Sequence, residues 1–496
     1  MNVRPHFAAL SAPGRGRTAA LLLGAFAGSC GLGSCARLPA ADAATLPWSV
    51  PTAWSGATAS AGATPESAIR WWSRFDDPTL SDLVERALRA NTDLRSALAV
   101  VDQTLALRDA ARAALLPTLG ATASAERATA GTHSAANTFA AGLDAAWVPD
   151  VFGGARAALG AAEASRAASL ATLGDVQVQV AAEVGLSYIL LRSSQARLAI
   201  AADNLASERE TLQITEWREQ AGLVTALESA QARAAAEQTA ASLPALRIVI
   251  EQTGHALALL TGAPPASLRA LLAVAAPLPA FDQAVAPAIP AETLRQRADV
   301  RAAERQVVAA LARVDQADAA RLPSFSIGGT LGLSAATLSG LGAGSALVTS
   351  LLAGVSLPVL DGGAARAQVR VQQALVEQAR AAYVASVLAA LRDVEDALVA
   401  LDGDHERRLR LGDAASAAVQ ANALARQRYA GGLVDFQTVL DTQRTQLGLQ
   451  DSLAAAQADV GSDQVRLFKA LGGGWRDDAA PASFVAADTL SHGGSR

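Results

Sequence analysis

The residues able to do chemistry in this chain are few and badly spaced for it. His6, His133, His255, His405 and His492 are scattered, and no two stand at a spacing that would close on one metal ion. Both cysteines, Cys30 and Cys35, lie in the first 35 residues, so the body of the chain has no thiol for a nucleophile, a disulfide or a metal site. Gly340-Leu341-Gly342-Ala343-Gly344 has the glycine content of a phosphate loop. No Lys-Ser/Thr pair follows it and no helix opens after it, so a loop between strands explains it better. These observations argue against an enzyme and against a resident cofactor or metal. A nucleic-acid partner has little support either. The net charge is −5, and the basic residues gather only in short clusters such as Arg407, Arg408 and Arg410.

The cysteines do have a context. Arg15 and Arg17 precede an apolar stretch from Ala19 to Ala27 and then small residues, the layout of a secretory signal over residues 1–34. Leu32-Gly33-Ser34-Cys35 resembles a bacterial lipobox, whose cysteine becomes a lipidated N-terminus; Ala27-Gly28-Ser29-Cys30 lacks the leading Leu. Cys35 is therefore the expected lipidation site. A lone acyl chain holds a membrane only marginally, so a covalent diacylglycerol plus an N-palmitoyl chain is expected there. The competing reading is an ordinary signal peptide with incidental cysteines.

The elements around these residues are set by a repeat. The chain has 496 residues, 51% hydrophobic but only 4% aromatic, which suits close packing of Ala-rich helices better than a thick globular core. Asn91 through Pro117 can be laid over Arg297 through Pro323 at an offset of 206 residues. Val148-Pro149-Asp150-Val151-Phe152-Gly153-Gly154 falls on Leu357 through Gly363 at 209, and Ala221-Gly222-Leu223-Val224 on Gly431-Gly432-Leu433-Val434 at 210. Leu260-Thr261-Gly262 falls on Ala470-Leu471-Gly472 at the same offset. Anchors kept in one order with so little drift indicate a duplication. The copies span residues 76–262 and 291–472. A linker at 263–290 with Pro264, Pro265, Pro277, Pro279, Pro287 and Pro290 joins them; an extended segment, 35–75, precedes them and a tail, 473–496, follows.

Within each copy a proline-free stretch, 153–221 or 363–431, reads as one continuous helix roughly 100 Å long. Val184, Leu191, Leu198, Leu205 and Leu212 recur every seven residues, while Val387, Leu391, Val394, Leu398 and Leu401 alternate four and three, both coiled-coil seams. Gly222 and Gly432 suit helix stops at tight reversals, with return helices at 223–260 and 433–470.

Ahead of each long helix comes a strand pair. No charge occurs between Arg321 and Asp361, yet the glycines there argue against a membrane helix. Phe325, Ile327, Leu331 and Leu333 take odd positions against Ser324, Ser326, Thr330 and Gly332, and Leu347, Leu351, Val355 and Leu357 alternate with Ser350, Gly354 and Ser356. Phe139, Leu143 and Trp147 alternate likewise in the first copy. Strands are expected at about 117–127, 138–149, 323–334 and 346–358. Their length and dyad alternation match a transmembrane β-barrel better than a half-buried soluble hairpin. Four strands cannot close a barrel, and an open edge is not tolerated in lipid. Two chains would give eight strands and a filled interior; three give twelve and a lumen, so a homotrimer is expected. The fold class is thus mainly α with transmembrane β: a long helical coiled-coil barrel continuing a 12-stranded β-barrel shared by a trimer.

Two motifs carry a resemblance. Trp71-Trp72-Ser73-Arg74-Phe75-Asp76-Asp77-Pro78-Thr79-Leu80, and Arg428-Tyr429-Ala430-Gly431-Gly432 followed by Val439-Leu440-Asp441, resemble the outer membrane factors of tripartite efflux systems, the TolC/OprM-like and NodT-type lipoproteins. The resemblance implies a trimeric outer-membrane channel with a large periplasmic portion that closes at its inner tip. Its partners there would be a periplasmic adaptor (membrane fusion protein) and an inner-membrane RND-type pump. By the same resemblance Asp441 matches a carboxylate that rings the closed tip. A second such position is occupied here by Thr438, with Asp435 and Glu228 within a helical turn or two at the tip to compensate. Tyr429 matches a tyrosine of the tip latch, whose basic partner is replaced by Val434, leaving Arg428 or Arg218 to substitute. The rival reading for each is a solvated charge on a coiled-coil surface. The rival function is a periplasmic coiled-coil adaptor, which would carry one helical hairpin between soluble β-domains. The exported cargo is not legible, because small polar lumen positions form a water-filled route and leave selectivity to the pump.

Overall fold

The computed structural model describes residues 46–55, 69–129, 135–279, 293–294, 296–342 and 346–475. Cys30, Cys35 and the rest of the signal segment lie outside these residues. Two short helices open the first half. In α1 (Pro78–Ala90) proline sits in the first turn, where its missing N–H costs nothing, and the Asp77 carboxylate accepts from Thr79 N and Leu80 N at 2.8 and 3.0 Å. Asn91 ends α1 and starts α2 (Thr92–Ala113), its side chain accepting from Asp93 N and Leu94 N. Strands β1 (Thr118–Ala128) and β2 (Ala136–Trp147) follow, then the long helix α3 (Gly154–Gln220) and its return α4 (Ala226–Leu260). After a single turn, α5 (Arg269–Leu272), the second half runs α6 (Ala298–Ala319), β3 (Ser324–Ala335), β4 (Ala346–Ser356), α7 (Ala364–Ala430) and α8 (Phe436–Ala470). Helices α3 and α7 each have 67 residues, α4 and α8 each 35.

The seams expected from heptad spacing lie inside. Val184, Leu191 and Leu205 of α3 are buried, as are Val387, Val394 and Leu398 of α7. Helix α3 packs against α4, α6 and α8, and α7 against α6 and α8. The widest core lies midway along the helices. There Trp71, in a 3₁₀ turn over Trp71–Phe75, stacks on Phe468 with centroids 5.8 Å apart and planes 12° from parallel. Trp72, Phe75, Leu80, Leu83 and Tyr188 close around them. The Trp71–Leu80 motif is thus an apolar plug that ties the start of the described chain to α3 and α8.

Several boundaries differ from those expected. The return helices begin at Ala226 and Phe436, three residues later than 223 and 433, because the turn after each glycine extends through Thr225 and Asp435 before helical hydrogen bonding resumes. The segment 35–75 is not wholly extended, since its last residues form the buried 3₁₀ turn. The described part of the linker, 263–279, contains α5 and packs on α3. Residues 473–475 are no tail: Trp475 donates its indole N–H to Gln296 O at 3.0 Å.

Candidate functional site

Strand pairing gives a single antiparallel sheet in the order β1-β2-β3-β4. Its register decides what each face is. Leu119, Ala145, Gly329 and Leu351 form one row across all four strands, and Ala121, Leu143, Leu331 and Thr349 the next. Ala123, Ala141, Leu333 and Leu347 form a third. The rows between them belong to the opposite face: Gly120, Asp144, Thr330 and Ser350, then Thr122, Gly142, Gly332 and Val348. Because side chains alternate strictly along a strand, one face is mainly apolar, with Thr349 an exception, and the other mainly small and polar, with Val348 and Leu352 the exceptions. On the polar face Thr122 donates to the Asp144 carboxylate at 2.6 Å, and the Thr330 and Ser350 hydroxyls lie 2.6 Å apart. No described residue covers the middle of the apolar face: Leu351 is 85% exposed. Strands β1 and β4 each leave one edge unpaired.

The opposite end of the helices carries the residues expected at the tip. Gly222 and Gly432 both adopt φ of 70°, a left-handed turn that a side chain resists, and Leu223 N and Leu433 N donate back to Arg218 O and Arg428 O. Tyr429 is buried beneath this turn with Phe436, Val439, Leu440, Ala232, Ala235 and Ala425. Its basic neighbour is Arg218. The guanidinium carbon sits 4.5 Å from the Tyr429 ring centroid, and the same group donates to Tyr429 O at 3.2 Å. Arg428 is exposed on the last turn of α7 and is not part of this cluster. The Tyr429 hydroxyl is buried without a hydrogen-bond partner.

The three carboxylates separate. Asp435 caps α8, accepting from Thr438 N at 3.0 Å and from the Thr438 hydroxyl at 2.5 Å, and these bonds hold its carboxyl below the usual carboxylate range. Asp441 is exposed one turn further on, where Gln437 Nε2 donates to it at 2.9 Å; it lines a shallow groove with Ala418, Ala421, Thr438, Thr442 and Thr445. Glu228 stands half-buried in the first turn of α4, where a negative charge suits the helix dipole.

Sequence reasoning missed the polar seam that joins the two hairpins above the tip. Arg197 forms a two-pronged pair with Asp451 at 2.6 and 2.9 Å. Below it Asn204 meets Gln450 at 2.9 Å, Gln443 donates to Thr211 at 3.0 Å, and Arg426 reaches Ser207 and Glu210. Alternation of Asn, Gln and Thr with the heptad leucines was the available signal. Also missed was Arg192, buried in the middle of α3. It donates to the Tyr188 hydroxyl, Gln195 and Val274 O, while the Tyr188 hydroxyl donates to Asp77. Burial and the Asp77 bond push the Tyr188 phenol up to about 12. This network fastens the linker to α3.

Among the described residues there is no cluster of His, Cys, Asp and Glu suited to a metal ion, and no helix is long and apolar enough to cross a membrane. What remains is an uncovered two-faced sheet at one end and a latched helical tip at the other. Known proteins share the fold. The family model for outer membrane efflux proteins matches twice, over residues 83–263 and 289–473. The pyoverdine export outer membrane protein OpmQ of Pseudomonas putida is 34% identical over 86% of this chain and 93% of its own length. Nodulation protein T of Rhizobium leguminosarum is 31% identical over 86% and 87%. The outer-membrane channel OprN superposes with a TM-score of 0.79 at 36% identity, covering 82% of this chain and 93% of that one. OpmQ is named for export at the outer membrane, and OprN as an outer-membrane channel. With both halves matched over nearly all of their described length, the chain belongs to the outer membrane efflux protein family.

Proposed function

We propose that three copies of this chain close a twelve-stranded barrel in the outer membrane, continued into the periplasm by their helices. The assembly serves as the passive exit duct of a tripartite efflux pump. The observation that carries this reading is the sheet: one mainly apolar face and two edges, all left uncovered by the described residues. In a bilayer both liabilities vanish together when β4 of one copy pairs with β1 of the next and the apolar faces meet lipid. Twelve strands leave a lumen, and the Asp144, Thr330 and Ser350 face would line it with small polar groups. Two halves of matching helix lengths support a sixfold-like wall built from a duplicated unit.

In this account the helical tip is the gate. Arg218 and Tyr429 hold α3 to α7, and three copies of Asp441 place a narrow anionic ring across the opening. A periplasmic adaptor and an inner-membrane pump of the RND type dock there, and Cys35 carries the lipid that adds a second anchor. Cargo is a class of small organic molecule chosen by the pump, as in the relative named for pyoverdine export. Purified protein tests the reading: native mass spectrometry should give a trimer, and planar bilayers should show cation-preferring channels. A monomer without conductance would refute it.

A further inference from the structure

Between each strand pair and its long helix the chain makes a turn, 148–153 after β2 and 357–363 after β4. In both turns an aspartate carboxylate caps the helix that follows. The Asp150 carboxylate accepts from Ala155 N and Arg156 N at 3.0 and 2.9 Å and from Arg156 Nε at 3.0 Å, and Asp361 accepts from Gly363 N and Ala365 N, each at 2.8 Å. Each turn nevertheless holds large apolar side chains in the open: Val148, Val151 and Phe152 at 57, 56 and 46%, Val359 and Leu360 at 88 and 93%. Trp147 stands beside the first turn with its indole N–H satisfied by Leu115 O, and Phe152 lies 6.3 Å from Phe325. An ordered turn with no folding reason to be apolar needs something to cover it.

We propose that these two turns are interfacial feet, seated in the headgroup region of the periplasmic leaflet of the outer membrane and fixing the depth of the barrel. The inference rests on the barrel reading above. Strands of 11 or 12 residues, tilted as in a closed barrel, span about 25–30 Å along the normal, so their ends coincide with the edge of the apolar band. Trp147 and Phe325, the latter beside Phe152, belong to the lipid-facing rows of the sheet, and aromatic side chains favour that boundary. A second copy is the rival occupant. It could reach the turn after the edge strand β4, but the turn after β2, which follows a strand paired on both sides by β1 and β3, also exposes large apolar side chains, Val148, Val151 and Phe152.

The experiment uses the full chain in phospholipid vesicles, spin-labelled at Val151→Cys, Leu360→Cys, Leu351→Cys as the lipid-facing reference, and Leu409→Cys as the exposed-helix reference; the labelled parent chain gives the background. Collision with oxygen, which enters lipid, is compared with collision with a water-soluble nickel chelate. Labels at Val151 and Leu360 should give oxygen-to-nickel ratios nearer to that of Leu351 than to that of Leu409. Ratios like that of Leu409, or loss of collision with both reagents, would overturn the feet while leaving the barrel intact. A water-like ratio at Leu351 itself would overturn the barrel reading and the feet with it.

Discussion

Replacing Arg218 by alanine removes the contact between α3 and α7 nearest the tip turns. Two interactions are lost: the guanidinium over the Tyr429 ring at 4.5 Å and the charged hydrogen bond to Tyr429 O at 3.2 Å. At a partly exposed site the first contributes about 0.5–1 kcal/mol and the second about 1–1.5 kcal/mol after discounting for water. Together they shift the closed-to-open balance of one subunit by about 2 kcal/mol, or roughly 30-fold. The companion variant separates ring from hydroxyl. Tyr429→Phe keeps the ring beneath Arg218 and deletes a buried hydroxyl that has no partner, so the closed state should be unchanged or slightly firmer. Single-channel recording reads both: Arg218→Ala should raise open probability by an order of magnitude or more, with the helical melting temperature nearly unmoved, and Tyr429→Phe should resemble the parent. An Arg218→Ala channel that stays shut, or a Tyr429→Phe channel that opens, would refute the latch as drawn.

Arg192→Ala leaves Val274 O without a buried donor and should cost about 3 kcal/mol, seen as a lower denaturant midpoint together with faster hydrogen exchange over residues 269–275. Gly262→Ala and Gly222→Ala share a left-handed backbone, with φ of 68° and 70°, but only the first drives a Cβ to 2.4 Å from Ala90 O. Thermal unfolding should therefore show a loss of about 1 kcal/mol at Gly222 and at least twice that at Gly262. The Asp435 carboxyl is held low by Thr438, so its help to the start of α8 is present above the ordinary carboxylate pKa and is lost as pH falls through the depressed value. Protection factors at residues 436–440, which correct for the slowing of intrinsic amide exchange in acid, should fall on acidification in the parent and be already low, and less pH-dependent, in Asp435→Ala.

The strands and long helices were legible because their periods are unambiguous. Phe325, Ile327, Leu331 and Leu333 on odd positions fixed the face of β3, and Val184, Leu191 and Leu205 at sevens fixed the seam of α3. The tip glycines were legible because a reversal between two helices requires a positive φ. Positions that depend on long-range partners were not. Nothing local marks Arg192 as buried, since its partners at Val274 and Tyr188 are set by how the linker lies on α3. The choice between Arg218 and Arg428 stayed open because both sit on the last turn of a long helix, and only packing decides which one meets Tyr429. Pro244 lies inside α4 without ending it, because tertiary packing outweighs the lost hydrogen bond.

The shared barrel is tested most directly at the sheet edges. One cysteine is placed at Ser350 on β4 and others in turn at Thr118, Gly120, Thr122 and Ser124 on β1, all on the polar face, and the membrane-inserted protein is oxidised. At the correct register, denaturing gels should show covalent dimers and trimers and no larger species. No cross-link at any register, or a ladder continuing beyond three copies, would contradict closure by three chains.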